Sequence, residues 1–369
     1  MAALDQTPGA NRIHIAFFGL RNAGKSTLVN EFTGQNLAIV SDVAGTTTDP
    51  VSKAMEILPL GPCLVTDTAG LDDTGELGRM RVEKTLAVLK TTDIAVWVGD
   101  GKTQEFIDEC ARRNVAVLDF RRGDSASALK EKIAAVKIAE TPRALLEGIA
   151  GRGDRIVCVC PIDESAPKGR IILPQVQLIR ECLDIGAVAT VCQPLELHDV
   201  LRTGPCSLVV TDSQAFAAVR DVLLRFENPP RLTSFSILYA RQKGNLDEYG
   251  KGVERIAGLN PGSCVLVAEG CTHHRQCNDI GTVKLPKALE KLSGAKLEFA
   301  FASGADFLKA QGPRPDLIVQ CGGCMLTRRE VLRRIDLARE NNIPITNYGM
   351  VLAAASGIRI KKGTVEVQI

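Results

Sequence analysis

The stretch that decides the fold of the N-terminal region is Gly19-Leu20-Arg21-Asn22-Ala23-Gly24-Lys25-Ser26, which fits the pattern G-x-x-x-x-G-K-S/T. An apolar, β-prone segment at residues 13–18 precedes it, and a helical pattern at residues 25–32 follows it. In such a setting the glycines let backbone N–H groups surround phosphate oxygens, while the lysine adds a positive charge and the serine hydroxyl reaches Mg²⁺. The stretch therefore predicts a P-loop nucleotide site. A chance glycine turn is the alternative, and the flanking strand and helix disfavour it.

Two further segments fit the same chemistry. Asp67-Thr68-Ala69-Gly70 follows a second predicted strand at residues 63–66, where a P-loop protein places the aspartate that reaches Mg²⁺ through its water shell. Gly70 can bring its N–H to a γ-phosphate at that point. Residues 45–49 (GTTTD) form a polar stretch without periodicity, and a threonine hydroxyl there can order the loop around Mg²⁺.

These three segments resemble the G1, switch I and G3 motifs of GTPases, and the G-T-T-x-D form is similar to the TrmE-Era-EngA branch. The resemblance implies that Thr47 is the switch threonine. Asn22 matches the asparagine that helps to hold K⁺ in potassium-dependent members. Because Leu71 stands where other GTPases have a water-orienting glutamine, K⁺ is a plausible substitute for an arginine finger.

The expected roles follow from these motifs. The predicted catalytic residues are Lys25, Thr47, Asp67 and Gly70. The predicted nucleotide-binding residues are Gly19, Asn22, Ala23, Gly24, Lys25, Ser26, Thr27 and Asp124. The predicted Mg²⁺ ligands are Ser26, Thr47 and Asp67.

The guanine-specifying Asn-Lys-x-Asp string is absent. Arg121-Arg122-Gly123-Asp124 stands where it is expected, after a predicted strand at residues 115–120. Asp124 can accept hydrogen bonds from guanine, but Arg121 has donors only and cannot reproduce the contacts of an asparagine amide. GTP is the expected nucleotide, with a base-tolerant or inactive site as the alternative.

The length of 369 residues predicts more than one domain. Strands alternate with helices along the whole chain, which indicates an α/β fold with parallel sheets. We predict a P-loop GTPase domain at residues 1–140 and two smaller α/β units at 141–258 and 259–369, with a short helix from Thr141 to about Ile149. Thr327 and Glu330 predict a capping box for a helix that reaches about Glu340.

Charge and hydropathy exclude some classes. Lys plus Arg number 45 and Asp plus Glu 43, so no positive surplus favours nucleic acid or an anionic membrane. No apolar run reaches the roughly 18 residues of a membrane span. We expect a cytoplasmic protein in a reducing compartment, where its 12 cysteines act as ligands, nucleophiles or small core residues.

Two cysteine motifs lie just after predicted strands of the third unit. Cys321-Gly322-Gly323-Cys324 follows residues 317–320, and Cys271-Thr272-His273-His274 follows residues 264–268. Because the carboxyl ends of such strands form a common crevice, the two loops can meet. Three cysteines without a definite fourth ligand favour an iron-sulfur cluster with an exchangeable site over a closed zinc site or a redox pair. Candidates for the fourth position are His273, His274, Cys277 and Glu269.

The remaining cysteines are assigned to cores, where a free thiol behaves as a small hydrophobe. They are Cys63, Cys110, Cys158, Cys160, Cys182, Cys192, Cys206 and Cys264.

The combination of a TrmE-Era-like G domain with C-x-H-H and C-x-x-C resembles the HydF family of [FeFe]-hydrogenase maturation GTPases. Further matching strings occur at residues 161–163, 166–170, 173–177, 211–216, 232–238 and 346–349. The resemblance implies a dimerisation domain at 141–258 and a [4Fe-4S] cluster domain at 259–369. Cys271, Cys321 and Cys324 match the cluster cysteines and His273 matches the C-x-H histidine, while Gln320 stands where the family often has histidine.

The family resemblance also implies a function and partners. HydF-like proteins are carriers that receive a diiron precursor from the radical-SAM maturases HydE and HydG and deliver it to apo-[FeFe]-hydrogenase, and a homodimer is expected. A TrmE-Era-like GTPase acting on RNA or ribosomes, with a zinc-stabilised C-terminal module, is the main alternative. A scaffold without nucleotide turnover is the second.

Overall fold

The computed structural model describes residues 9–34, 50–72, 75–121, 123–136, 143–162, 171–270, 280–303, 313–360 and 367–368. The chain separates into two compact units, Met1–Thr141 and Pro142–Ile369. The division of the second unit into two domains stays a prediction. The α/β class is confirmed, because each unit is built on mainly parallel sheets covered by helices.

The N-terminal unit is a five-stranded sheet with the order β2-β3-β1-β4-β5. Its elements are β1 (Ile13–Phe18), α1 (Lys25–Thr33), β2 (Val51–Ile57), β3 (Gly61–Asp67), α2 (Gly75–Leu89), β4 (Ile94–Val98), α3 (Gln104–Arg112), β5 (Ala116–Phe120) and α4 (Ala126–Ala134). The strand β4, which lies between β1 and β5, is buried along its whole length, as its apolar sequence IAVWV requires. The register places Phe17 of β1 opposite Asp67 of β3, so the two loops that follow these strands start side by side.

The strand β2 was not foreseen from the sequence. It pairs antiparallel with β3 at the edge of an otherwise parallel sheet. Its residues, VSKAMEI, are largely exposed and contain two charges, so the segment lacks the apolar run that announces a buried strand. An edge strand of this kind needs only one covered face.

The predicted helix from Thr141 to about Ile149 is wrong. Thr141 and Pro142 lie outside the described residues, and residues 145–149 form turns. The N–H groups of Leu145 and Leu146 donate to the two carboxylate oxygens of Glu181, at 2.8 and 2.6 Å. A glutamate from a helix 35 residues further along the chain therefore satisfies the donors that a helix start would otherwise leave open.

The C-terminal unit contains a first parallel sheet with the order β7-β6-β8-β9. Its elements are β6 (Arg155–Val159), α5 (Leu173–Ile185), β7 (Val188–Cys192), α6 (Leu197–Arg202), β8 (Leu208–Thr211), α7 (Phe216–Leu223), β9 (Arg231–Ser234) and α8 (Phe235–Lys243). The side chain of Ser234 caps α8 by accepting the N–H of Ile237, so the chain turns directly from β9 into this helix.

A second parallel sheet follows with the order β11-β10-β12-β13. Its elements are α9 (Leu246–Ile256), β10 (Cys264–Glu269), α10 (Leu285–Ser293), β11 (Glu298–Ser303), β12 (Leu317–Gln320), α11 (Arg328–Glu340), β13 (Ile345–Asn347) and α12 (Tyr348–Ala355). A short pair, β14 (Arg359–Ile360) and β15 (Val367–Gln368), ends the chain. The capping box of Thr327 and Glu330 is confirmed at the start of α11.

The two sheets of this unit share one hydrophobic core, which includes Leu238 of α8, Tyr249 of α9 and Ile318 of β12. The helix α8 packs on both α11 and α12. At Gly349 a Cβ would lie 2.4 Å from Cβ of Ser236, so only glycine allows this close approach of α12 to α8. The first sheet thus supports the second through α8.

The cysteines assigned to cores behave as predicted. Seven of them are buried and Cys206 is partly buried. Burial raises the pKa of the Cys182 and Cys192 thiols to about 11, which keeps them protonated and inert. None of the described helices is long and apolar enough to cross a membrane.

Candidate functional site

The P-loop joins β1 to α1 and has an irregular backbone. Asn22 and Gly24 have positive φ angles of 60° and 86°. At Gly19 a Cβ would lie 2.6 Å from the carbonyl oxygen of Val98, so the strand β4 leaves no room for a side chain there. The sequence therefore needs glycine for two reasons, a left-handed turn at one end and a close backbone approach at the other.

Lys25 is the first residue of α1 and is buried. Its ammonium group donates to the carbonyl oxygens of Gly19, at 3.2 Å, and Leu20, at 2.7 Å. The side chain therefore folds back over its own loop. This arrangement keeps a positive charge at the mouth of the loop, where phosphate oxygens are expected.

Asp67 ends β3 and is completely buried. Its Oδ2 accepts the hydroxyl of Ser26 at 2.6 Å, while no described residue bonds its buried Oδ1. Burial raises the pKa of Asp67, and the Ser26 hydrogen bond and the Lys25 charge oppose that rise. A buried carboxylate oxygen beside a hydroxyl fits the coordination sphere of Mg²⁺, whose ligands are oxygens and water.

The loop after β3 is joined to the P-loop by two hydrogen bonds. Leu71 donates its N–H to the carbonyl oxygen of Gly19 at 3.2 Å, and Arg21 donates its N–H to Oδ1 of Asp72 at 2.5 Å. A Cβ on Gly70 would lie 2.8 Å from the nitrogen of Arg21. Sequence reasoning missed Asp72, because an aspartate two residues after a glycine is an ordinary turn residue. Thr47 and the rest of residues 45–49 lie outside the described residues.

The segment that replaces Asn-Lys-x-Asp forms a tight turn. Asp124 accepts the N–H of Arg121 on Oδ2 at 2.9 Å and donates its own N–H to the carbonyl oxygen of Arg121 at 3.0 Å. The hydroxyl of Ser125 then caps α4 by accepting the N–H of Ala128. The turn holds the Asp124 carboxylate in a fixed, exposed position, so its role in base recognition stays a prediction.

The second candidate site is the loop after β12. The N–H of Cys321 bonds to the carbonyl oxygen of Ala268 at 2.9 Å, and Sγ of Cys321 accepts the N–H of Gly270 at 3.2 Å. Gly270 directly precedes Cys271. The backbone that carries the first predicted cluster cysteine therefore reaches the second one, and the N–H···S bond is of the kind that supports sulfur ligands.

Cys324 lies four residues after β12, and burial raises the pKa of its thiol. Gly323 has a φ of 69°, which turns the chain between the two cysteines. Cys271, His273, His274 and Cys277 lie outside the described residues. Within the described ranges, no three histidine, cysteine or acidic side chains converge on one point.

Two buried cations that the sequence did not reveal lie near this loop. Lys243, the last residue of α8, donates to the carbonyl oxygens of Gly323, Cys324 and Leu326, at 3.2, 3.2 and 2.8 Å. Burial lowers the pKa of Lys243 to about 8, against the opposing negative charges of the two cysteines and Glu330. Arg334 of α11 is 1% exposed and donates to the carbonyl oxygen of Glu269 at 3.0 Å.

Two other predicted positions have defined surroundings. Gln320 is buried, and its amide donates to the hydroxyl of Tyr249, so its side chain is engaged by α9. Glu269, a candidate fourth ligand, is buried and accepts the hydroxyl of Tyr348 at 3.4 Å. These positions show two neighbouring strand ends carrying polar side chains that are held by hydrogen bonds.

A cavity of about 280 Å³ opens beside the loop Cys321–Cys324, here called the cysteine loop. Gly322 and Cys324 form part of its wall, and Phe235 and Tyr239 of α8 form another part. Gln175 of α5 and Asp212, which follows β8, add polar groups and are joined by a 3.1 Å hydrogen bond. The cavity is thus lined by loops and helices that belong to both sheets of the C-terminal unit.

Comparison with known families assigns both halves of this unit. Residues 145–244 match the model of the hydrogen maturase F dimerization domain, and residues 247–363 match that of the hydrogen maturase F tetramerization domain. The chain belongs to the hydrogen maturase F family. The two matched models are named for self-association, one as a dimerization domain and the other as a tetramerization domain.

The N-terminal unit of the chain is a GTPase domain. Residues 14–129 match the model of a 50S ribosome-binding GTPase. Similar curated proteins include GTPase Der of Campylobacter hominis, 38% identical over 95 residues, and the tRNA modification GTPase MnmE of Endomicrobium trichonymphae, 39% identical over 97 residues. These alignments cover 26% and 25% of this chain, and it spans about a fifth (20%) of the length of each relative.

Solved structures with some likeness to the chain include Era of Aquifex aeolicus and Toc33 of Arabidopsis thaliana. Era is 15% identical with a TM-score of 0.26, covering 81% of this chain and 96% of its own. Toc33 is 19% identical with a TM-score of 0.24, covering 33% of this chain and 58% of its own. Similarity at this level supports no inference.

Proposed function

We propose that this chain binds and hydrolyses GTP and acts as a scaffold or carrier that holds a [4Fe-4S] cluster and delivers a diiron precursor to apo-[FeFe]-hydrogenase. The observation that carries the proposal is the bond between the Gly270 N–H and Sγ of Cys321, which joins the two cysteine-bearing strand ends. Cys271, Cys321 and Cys324 would hold the cluster. His273, His274, Cys277 or Glu269 would supply the fourth ligand.

The bound cluster supplies an iron with an exchangeable coordination position, to which a bridging ligand of the diiron precursor can attach. The protein contributes the cavity of about 280 Å³ at Cys324. Its walls are mainly apolar and its volume suits a compact metal complex rather than a polymer. Phe235 and Tyr239 would exclude water from this cargo, while Gln175 and Asp212 would orient it.

The nucleotide site would act as a switch. Lys25 would contact the β- and γ-phosphates, Gly70 would donate its N–H to the γ-phosphate, and Ser26, Thr47 and Asp67 would surround Mg²⁺. Asn22 would help to hold K⁺. Ordering of the loop around Thr47 by the γ-phosphate would change which partner the carrier holds, and hydrolysis would reset it.

The proposed partners follow from this role. HydE and HydG would load the carrier, apo-[FeFe]-hydrogenase would receive the cargo, and a homodimer in the cytoplasm would be the working form. The RNA-directed alternative draws support only from the GTPase domain at residues 14–129, whereas residues 145–363 favour maturation.

Transfer of cargo tests the proposal. The reconstituted protein is incubated with a diiron complex bearing carbonyl and cyanide ligands, desalted, and examined by infrared spectroscopy before and after addition of apo-hydrogenase. The expected result is retention of the ligand bands, followed by hydrogen evolution after transfer. The Cys321→Ser variant should retain no complex. Equal retention by wild type and variant, or failure of the loaded wild type to activate the hydrogenase, would contradict the carrier role.

A further inference from the structure

The last residue of α8, Lys243, places a buried positive charge against the cysteine loop. Lys243 is 2% exposed, and its ammonium nitrogen lies within hydrogen-bond distance of three carbonyl oxygens, those of Gly323, Cys324 and Leu326. Three acceptors use all three N–H donors of an ammonium group, whereas a neutral amine has only two. The geometry is therefore that of a charged lysine whose donors are fully satisfied.

The rest of its environment fits a cation. The ammonium lies 5.1 Å from the centroid of the Tyr239 ring, within the range of a cation–π interaction. Cys321, Cys324 and Glu330 are the acidic groups whose charges act on it. On the side of β10, the guanidinium of Arg334 donates to the carbonyl oxygen of Glu269. Two buried cations thus lie near a loop whose thiolates are negative when they bind iron.

The side chain of Lys243 also connects the two matched domains. It belongs to residues 145–244, the dimerization segment, while the loop belongs to residues 247–363. The C-terminal segment alone therefore does not contain every residue that holds its cysteine loop. Ser236 of the same helix lies near Gly322, where a Cβ would be 3.5 Å from its Oγ.

We propose that Lys243 is a positioning residue that holds the Cys321–Cys324 loop in its ligand conformation and supplies a buried positive charge that raises the reduction potential of the cluster. This inference rests on the proposed cluster. Reduction adds a negative charge to an already negative thiolate-bound centre, so a nearby buried cation stabilises the reduced state more than the oxidised one.

Three variants separate the charge from the hydrogen bonds. Lys243→Gln removes the charge and retains two donors for the loop carbonyls. Lys243→Met removes the charge and the donors at similar volume, and Lys243→Arg retains the charge. The matched control is Lys284→Met, because Lys284 donates to Oε1 of Gln214 at 2.7 Å and so also joins the two segments, without contacting the cysteine loop.

The measurements are iron content after anaerobic reconstitution, the midpoint potential from a redox titration followed by EPR, and thermal stability of the iron-free protein. Lys243→Gln should retain iron with a more negative midpoint potential. Lys243→Met should lose iron and have a lower melting temperature. Lys243→Arg should keep the midpoint potential close to that of the wild type, and Lys284→Met should leave the potential unchanged.

The results discriminate between the two proposals. A wild-type potential in Lys243→Gln, or an equal shift in Lys284→Met, would overturn the role of Lys243 while leaving the cluster in place. Should Lys243→Gln fail to fold, a midpoint potential in Lys243→Arg clearly more negative than that of the wild type would overturn it as well, because that variant keeps the charge. Absence of iron uptake by the wild type would overturn both the inference and the proposed function.

Discussion

The P-loop and the cysteine loop are both glycine-containing turns at the carboxyl ends of parallel strands, but they are supported differently. The P-loop carries its own cation, since Lys25 bonds to carbonyl oxygens five and six residues before it. The cysteine loop receives its cation from Lys243, about 80 residues earlier in the chain. The cation that supports the P-loop is therefore part of the sequence motif, whereas the cation that supports the cysteine loop lies outside its motif.

The largest expected effect tests the self-contained loop. Lys25→Ala should weaken GTP binding by about 100-fold or more, because charge-assisted hydrogen bonds to phosphate are lost. Iron content should stay unchanged, since the cysteine loop belongs to the other compact unit. Binding is measured by isothermal titration, with Lys130→Ala on α4 as the control. Loss of iron in Lys25→Ala would show that the two sites are not independent.

The second prediction concerns packing under the cysteine loop. A Cβ on Gly270 would lie 2.5 Å from Cγ of Leu326, so Gly270→Ala should destabilise the protein by about 1–3 kcal/mol through overpacking. Thermal or urea unfolding measures the loss. In the double variant with Leu326→Ala, the two costs should be less than additive, because the smaller side chain makes room. Simple additivity would mean that the contact does not limit this turn.

The third prediction concerns the buried carboxylate of the nucleotide site. The folded-state pKa of Asp67 is raised by burial, so the native state binds more protons than the unfolded state between the ordinary and the raised value. Stability therefore falls as pH rises through that window, and the ionised group is destabilising at neutral pH. Asp67→Asn should stabilise the nucleotide-free protein at pH 7 and flatten this pH dependence.

The same Asp67→Asn variant should lose Mg²⁺-dependent nucleotide binding, which is measured by titration with and without the metal. Differential scanning calorimetry across pH 4 to 8 gives the stability. A variant that is less stable than the wild type would contradict the destabilising burial of the Asp67 carboxylate, and one that still binds nucleotide with full Mg²⁺ dependence would contradict its proposed role as a Mg²⁺ ligand.

The smallest effect is expected at the base. One carboxylate oxygen of Asp124 already accepts the N–H of Arg121, and no asparagine amide accompanies it. GTP should therefore be preferred over ATP only modestly, and Asp124→Ala should reduce that preference by about threefold to tenfold, the loss of one or two hydrogen bonds. Competition binding checks this. An unchanged preference would place base recognition elsewhere in the turn.

Much of the fold was predictable because buried parallel strands are apolar runs. The strands β1, β4 and β12 correspond to such runs, and the capping box of α11 was explicit in Thr327 and Glu330. The edge strand β2 was not predicted because its residues are largely exposed, include two charges and form no apolar run. The helix α8 was not predicted because it is buried on several sides and shows no amphipathic period.

The candidate sites divide in the same way. The P-loop residues and the cysteines were found because each chemistry requires particular residue types at fixed spacing. Asp72, Lys243 and Arg334 belong to no motif with fixed spacing. Each bonds to a backbone N–H or carbonyl group, and because every residue has such groups, the sequence does not show which one is the partner. Only the tertiary structure brings them to the loops that they support.

The central claim is tested most directly by anaerobic reconstitution with iron and sulfide, followed by EPR of the reduced protein. Wild type is compared with Cys321→Ser and with Cys158→Ser, a buried thiol of the first sheet, as the control. The account predicts a cluster signal in wild type and in Cys158→Ser that is lost or altered in Cys321→Ser. Bound zinc without a cluster signal in the wild type, or the same signal in all three proteins, would contradict it.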